Sequence, residues 1–391
     1  MKTITLITQG NRSEVQPFLA LATALQKEGY QVRLAAPAAF AHYARKTGLP
    51  FFPISDNAAA PAFEAQRSML AAAQDANLII AHLNVLDWAQ AIAEKLECHL
   101  HIVALQPHAP FLPTTSGWSR LEQALATARH FQDWHSRMKL ANAWRREMGL
   151  PQQLVCPLRK ALKQGTPFLH AYSPTLAGDG EKHGPQHHLT GQWVLSDRFR
   201  FRLPGNAPST EFSEWLYRGG RPVFFDLNGL PASKRETYLK GIQRLSQRQG
   251  FRAIISADWV EQEGLYERDI FCLNGVDHEW LFRHCAAIVH HGGSGTIHAG
   301  VRAGIPNLLC STDSSQAYWG RQLEKRGIGV HLPYRQLGES SLEAALDKAL
   351  QLSAIAKAKA VGQAVSEENG LEYVVDMVAQ LLGREQLAVA V

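Results

Sequence analysis

Threonine alternates with apolar residues from Lys2 to Thr8 (KTITLIT), the period of a half-buried strand. A polar stretch, QGNRSE, separates it from VQPFLALATALQKEG, where apolar residues recur at helical spacing. Pro17 falls near the first turn and Gly29 just past the end, where each is best tolerated. YQVRLAAP then reads as a second strand. Strand, loop, helix and strand in this order predict a parallel βαβ unit.

The pattern recurs along the chain. ANLIIAH (76–82) predicts a buried strand, WAQAIAEKLE a helix and HLHIVAL (99–105) a strand ending at QPHAP. Residues 119–148 predict a long helix, and TPFLHAYS (166–173) a further strand. From about Gly178 to Ser213 the periodicity breaks down among Gly, Pro, His and Asp, as in a linker. It resumes with the strands RPVFFDL, FRAIISA, DIFCLNGV, AAIVHH, IPNLLCS and GIGVHLP. The helical stretches SKRETYLKGIQRLSQRQG, HEWLFRHC, SGTIHAGVRAG and SLEAALDKALQL lie among and after them. Two doubly wound α/β halves are expected, with ligands at the carboxyl ends of the strands.

Length and composition fit that division. The 391 residues suffice for two or three domains at ~150 residues each. Hydrophobic residues make up 46% and charged ones 19%, a globular balance with enough apolar surface for a sizeable core. A net charge of +5 is too mild to indicate nucleic acid, and none is expected as a partner. It suits an anionic small ligand or peripheral contact with an acidic membrane surface. Cys98, Cys156, Cys272, Cys285 and Cys310 are scattered without a C-x-x-C pair, which fits a reducing cytosol. No run of ~18 apolar residues occurs, and the apolar start is too short for a signal peptide. A cytoplasmic location, at most peripheral to a membrane, is expected.

One stretch concentrates the chemistry. AAIVHH-GGSGT-IHAGVRAG reads as strand, glycine turn and helix. A helix N-terminus offers unpaired N–H groups and partial positive charge, and glycines admit a phosphate close to the backbone. Ser294 and Thr296 add hydroxyls, and His291 a ring nitrogen. The Walker pattern is excluded because no lysine follows, and the dinucleotide pattern fails because His298 stands at its last glycine. A phosphate site and a tight turn with buried histidines both remain open on these residues.

HHGGSGT, followed by AGVRAGIP and QAYWGRQLEKRGIG, resembles the nucleotide-sugar-dependent glycosyltransferases of GT-B fold. Within the UDP-glycosyltransferase superfamily it resembles most the branch of sterol, antibiotic and rhamnolipid glycosyltransferases. GNRSEVQPFLALATALQKEGYQV is similar to the family's G-T-R-G-D-V-x-P opening, VALQPHAP to its L-Q-P segment, and DHEWLFRHCAAIVHHGGSGT to its P-H-D-W-L-F to H-H-G-G-x-G-T stretch. The resemblance covers nearly the whole chain. It implies two Rossmann-like domains facing across a cleft: an acceptor domain over 1–195, a linker over 196–214 and a donor domain over 215–370. Residues 371–391 would form a helix crossing back to the first domain.

The resemblance also implies roles. His291, Gly293, Ser294, Gly295 and Thr296 would hold the donor diphosphate, and the backbone near Val276 the base. Gln316 would touch the donor sugar. The family has Asp-Gln there, whereas this chain has Ser315-Gln316, with Asp313 two residues upstream as a substitute. After RPVFF the family has G-x-G-S, whereas this chain has Asp226, Leu227, Asn228 and Gly229. An acid beside a diphosphate is unfavourable unless it points away or pairs with a base.

An inverting transfer needs a base for the acceptor hydroxyl. Glu14 stands where relatives carry a catalytic Asp; alternatively it caps the helix that follows. His108 is the second candidate base, with His82 and Asp87 behind it. No metal site is expected, since HEWLFRH lacks the H-E-x-x-H spacing and no D-x-D pair occurs. No cofactor is expected beyond the UDP- or dTDP-linked sugar co-substrate. Trp134, Met138 and Ala141 share a helical face, which favours core packing over an aromatic lip for a small hydrophobic or polycyclic acceptor; Trp118 and Trp144 belong to the same segment. Arg145 and Arg146 are expected on a solvated face. A nucleotide-sugar epimerase of the same fold and a non-catalytic nucleotide-sugar binder are the competing readings.

Overall fold

The computed structural model describes residues 1–55, 63–108, 120–177, 184–203, 205–226, 228, 232–256 and 263–389. The chain forms two compact units, each built on one sheet. One comprises Met1–Pro174, Asp179–Phe199 and Asn369–Val391; the other comprises Thr175–Gly178 and Arg200–Glu368.

In the first unit the strands are β1 (Thr3–Ile7), β2 (Gln31–Pro37), β3 (Phe51–Ile54), β4 (Leu78–His82), β5 (His99–Ala104), β6 (Phe168–His170) and β7 (His187–Leu189). All pair in parallel, in the order β3-β2-β1-β4-β5-β6-β7. Strand order reverses between β1 and β4, where Ile7 lies level with Ala81. Such a switch point opens a crevice at the carboxyl ends of the strands. β1 is buried along its whole length because helices cover both faces of a parallel sheet.

The helix Arg12–Lys27 turns Val15, Phe18, Leu19, Leu21 and Leu25 inward. The C-terminal helix Gly370–Val389 packs against it and buries Val374, Val378 and Leu382. Its first residue is glycine for a steric reason: a Cβ there would stand 2.6 Å from the Gly191 carbonyl oxygen.

The second unit holds β8 (Val223–Asp226), β9 (Ala253–Ser256), β10 (Gly264–Glu267), β11 (Ile270–Leu273), β12 (Ala287–His290), β13 (Asn307–Leu309) and β14 (Gly329–His331). Their order is β10-β11-β9-β8-β12-β13-β14, parallel except for β10, an antiparallel edge strand. Here the order reverses between β8 and β12. Phe224 and Phe225 point to opposite faces of β8 and enter two separate cores. Each is fully buried, worth about 1.5–3 kcal/mol by area removed from water.

Three strands go beyond the periodicity. β3, β7 and β10 are only three or four residues long, too short to establish a period, and β7 falls inside the stretch read as aperiodic. The segment 196–214, read as a linker, carries the helix Asp197–Arg200 and the start of Thr210–Tyr217, and from Arg200 onward it belongs to the second unit. Arg200 is buried against Asp277 at 3.2 Å, a long-range ion pair invisible to local patterning.

Arg145 corrects another expectation. It is buried rather than solvated, with two hydrogen bonds to Glu94 (3.1 and 2.9 Å) and one to the Pro151 carbonyl (2.7 Å). Arg146 is exposed. Trp134 and Ala141 lie in one core cluster with Met138 against it, and Trp144 in another. Trp118 lies outside the described residues.

Candidate functional site

The glycine stretch lies at the switch point of the second sheet. β12 ends at His290, Gly292 has φ +101°, and the helix Ser294–Arg302 begins with Gly293 as its N-cap. A Cβ on Gly292 would meet Gln316 Cβ at 3.0 Å and Leu309 Cδ1 at 3.2 Å, so both conformation and space demand glycine. Gly293, as N-cap, has no side chain with which to cap the first N–H groups of this helix. Ser294, Gly295 and Thr296 are partly exposed there, while Ile297 and His298 are buried.

The neighbouring histidines divide by burial. His290 is 1% exposed, and its Nδ1 accepts the Gly292 N–H at 3.2 Å. Burial pushes its pKa down to about 3, so it is neutral. His298, also buried, is pushed down to about 4; its Nδ1 lies 2.7 Å from the Ser294 carbonyl, and its ring meets Trp319 edge-on. His291 is partly exposed, and its Nδ1 lies 3.0 Å from Asp226 Oδ2. That contact holds its pKa above the ordinary value against burial, with a further pull from Asp313.

Asp226 is thus the base-paired acid that the sequence left open. Its side chain is 7% exposed. Burial pushes its pKa up, but His291 and the Asn228 N–H (3.1 Å to Oδ1) outweigh burial and hold it below the ordinary carboxylate value. Val289 lies level with Phe225, so the ends of β12 and β8 are neighbours and Asp226 faces the start of the glycine turn. Gly229, the other half of the expected cleft loop, lies outside the described residues, as does Leu227.

Three expected sugar contacts stand at the head of the helix Ser314–Arg326. Asp313 is its N-cap and accepts the Gln316 N–H at 2.9 Å. Gln316 Oε1 accepts the Thr312 N–H and hydroxyl (2.7 and 2.9 Å), which leaves the amide nitrogen as the donating end. Gln316 also lies against Gly292, so the sugar and phosphate candidates share one locality. Ser315 is partly exposed beside it. Val276, the expected base contact, is buried in the core next to Leu273 and Leu281, so its backbone rather than its side chain remains to meet a ligand.

The first unit carries all of the candidate bases. Glu14 is the third residue of its helix and forms a capping box: Oε2 accepts the Asn11 N–H at 2.8 Å, while Asn11 Oδ1 accepts the Ser13 N–H at 2.7 Å. Gly10, at φ +128°, packs so closely on Glu14 that a Cβ would lie 2.9 Å from Oε2. His108, His82 and Asp87 instead line a cavity of about 220 Å³, together with Gln106, His130 and Arg137. Leu83, Leu86, Leu105 and Leu158 supply its apolar wall.

Burial pushes His82 and His108 down to about 4, so both are neutral imidazoles near pH 7. Asp87 is pushed up by burial and pulled back by Arg137, 3.1 Å away. Sequence reasoning missed His130 and Arg137 as cavity groups, because both lie within the helix Arg120–Glu147 and reach the cavity only through packing. His187 and His188 are tied within the first unit, to His170 at 2.9 Å and the Tyr373 hydroxyl at 3.0 Å. Among the described residues no group of three His, Cys, Asp or Glu is arranged to hold a metal ion. No described helix is long and apolar enough to cross a membrane.

Comparison with known proteins adds a family context. Residues 4–108 match the glycosyltransferase family 28 N-terminal domain, and residues 272–380 match the C-terminal domain of the erythromycin biosynthesis protein CIII-like family. The chain is 28% identical to sterol 3-beta-glucosyltransferase UGT80A2 of Arabidopsis thaliana over 94% of its own length, and it spans 64% of that relative. It is also 28% identical to the O-mycaminosyltylonolide 6-deoxyallosyltransferase of Streptomyces fradiae, covering 94% of this chain and 95% of the relative. The solved glycosyltransferase VinC, in complex with dTDP, superposes with a TM-score of 0.68 at 19% identity, covering 98% of this chain and all of that one, a likeness of fold.

Proposed function

From a chain of GT-B fold that carries a glycosyltransferase family 28 N-terminal domain and an erythromycin biosynthesis protein CIII-like C-terminal domain, we propose a glycosyltransferase. It moves a sugar from a UDP- or dTDP-linked donor to a hydroxyl of a small lipophilic acceptor, with inversion and without a metal. The observation that carries the reading is the junction of β12, Gly292–Gly293 and the helix Ser294–Arg302, with His291 beside it. A helix N-terminus with glycine as its N-cap and a ring nitrogen converge there as a diphosphate would require.

The donor diphosphate meets Gly293, Ser294, Gly295 and Thr296 at the helix N-terminus. These donors take up the charge that develops as the bond from the anomeric carbon to phosphate oxygen breaks. Gln316, Ser315 and Asp313 face the sugar. The acceptor enters the first unit's cavity, whose leucine wall suits a lipophilic body. The acceptor proton passes to His108 rather than Glu14, since His108 lines that cavity as a neutral imidazole.

A screen of UDP- and dTDP-linked sugars against sterol-like, macrolide and lipid acceptors, read by mass spectrometry, tests this. A product heavier than the acceptor by one glycosyl residue, with inverted anomeric configuration by NMR, is expected. An epimerised nucleotide sugar formed from donor alone would overturn the reading, as would donor binding without turnover across the panel.

A further inference from the structure

The position of Asp226 has a consequence for how the second unit takes a diphosphate. Asp226 Oδ2 lies 3.0 Å from His291 Nδ1, off the axis of an aligned hydrogen bond, and a carboxylate charge at that distance favours a proton on Nδ1 over a lone pair. Asp226 is locked in that orientation, with Oδ1 accepting the Asn228 N–H and the side chain 7% exposed. A neutral His291 then presents a bare lone pair at Nε2. That nitrogen is the one on the glycine side of the ring, 3.3 Å from where a Gly293 Cβ would be. A lone pair repels a phosphate oxygen; an N–H attracts it.

We infer that Asp226 is a positioning residue that makes diphosphate binding in this chain depend on a protonated His291. The inference rests on the donor-site reading above. Without an acid behind it, a neutral histidine can place its single proton on Nε2 and still donate. With Asp226 behind it, only the imidazolium can. Above the pKa of His291, a nucleoside diphosphate therefore takes up one proton as it binds.

The charged and titratable groups around His291 fit this assignment. Asp226 on β8 and Asp313 at the head of the helix Ser314–Arg326 both favour the cation. His290, next in the chain, is neutral through burial and adds no fixed charge. His278, on the short helix His278–Leu281, lies within electrostatic reach of Asp226 and His290 and favours an ionised Asp226.

Isothermal titration of UDP and dTDP into the full chain between about pH 7.5 and 9.5, where their terminal phosphates are ionised, tests the inference. Wild-type affinity should fall by about tenfold per pH unit above the His291 pKa. In Asp226→Asn the amide can donate to Nδ1 and free the neutral Nε2–H form, so affinity should change less than about threefold over the window. Flat wild-type affinity, or a variant as steep as wild type, overturns the inference and leaves the donor site standing. If neither diphosphate binds wild type at any pH, the donor-site reading falls and the inference with it. If the variant does not fold, the wild type alone decides through titrations at about pH 8.5 in two buffers of different ionisation enthalpy. Uptake of close to one proton supports the inference, and zero uptake overturns it.

Discussion

Glu14 Oε2 accepts the Asn11 N–H at 2.8 Å, so the acid that the opening motif offers as a base is already the reciprocal half of a helix cap. Glu14→Gln keeps that acceptor and should retain turnover. Glu14→Ala should cost about 1 kcal/mol of stability, the usual worth of an N-terminal cap, visible as a lower urea midpoint. His108→Gln should lower kcat with donor affinity intact. Loss of turnover in Glu14→Gln with UDP still bound would move the base back to Glu14.

Arg145→Ala should destabilise by about 1–3 kcal/mol, because it removes the charged hydrogen bonds of a buried guanidinium to a partly exposed Glu94, which keeps Lys160 at 2.8 Å. The pH dependence has a definite sign. Hydrogen bonds from Arg145 first, then Lys160, hold Glu94 below the ordinary carboxylate value. The stabilisation is therefore complete above the unfolded carboxylate pKa and is lost as pH falls through the lower folded one. Denaturation of the variant should show a shallower acid limb below about pH 4.5; an unchanged limb would show that the pair contributes nothing.

Five histidines, three buried and two partly exposed, set a second acid response at higher pH. His82, His101, His108 and His298 are pushed down to about 4 and His290 to about 3 by burial. Between pH 6.5 and about 4 the unfolded chain takes up protons that the folded chain does not, so stability should fall with pH through that window. Each histidine contributes up to about 1.4 kcal/mol per pH unit. Urea midpoints across the window, with His101→Gln expected to flatten the slope by about one proton, provide the check; a wild type of constant stability over that range would contradict the assignment.

Gly292→Ala should cost about 1–3 kcal/mol, from the left-handed backbone and the crowding against Gln316 and Leu309. Because the same residue aims the helix N-terminus, affinity for UDP and dTDP should fall more than thermal stability explains. A variant that loses stability but binds both diphosphates as wild type does would separate the turn from the site.

Local order was largely legible in the sequence. The alternation of KTITLIT, the helical spacing after Asn11 and the glycine turn after His290 each lie within a few residues, and backbone geometry converts such spacing directly into strand, helix and turn. The cap at Glu14 was readable for the same reason, its partner being three residues away. Identical local rules in both halves made two doubly wound sheets the natural expectation.

The tertiary structure decided what depends on partners distant in sequence. Asp226 and His291 are 65 residues apart and meet only because β8 and β12 are neighbours at the switch point of the second sheet. Arg145 looked like surface because its charge speaks for water, whereas Glu94, 51 residues away, supplies the opposite charge that offsets its burial. His130 and Arg137 joined the cavity by helix packing rather than by motif. Sequence spacing encodes neighbours along the chain; whether a charge is a solvated group, a cap or half of a proton-holding pair is set by which strands the sheet brings side by side.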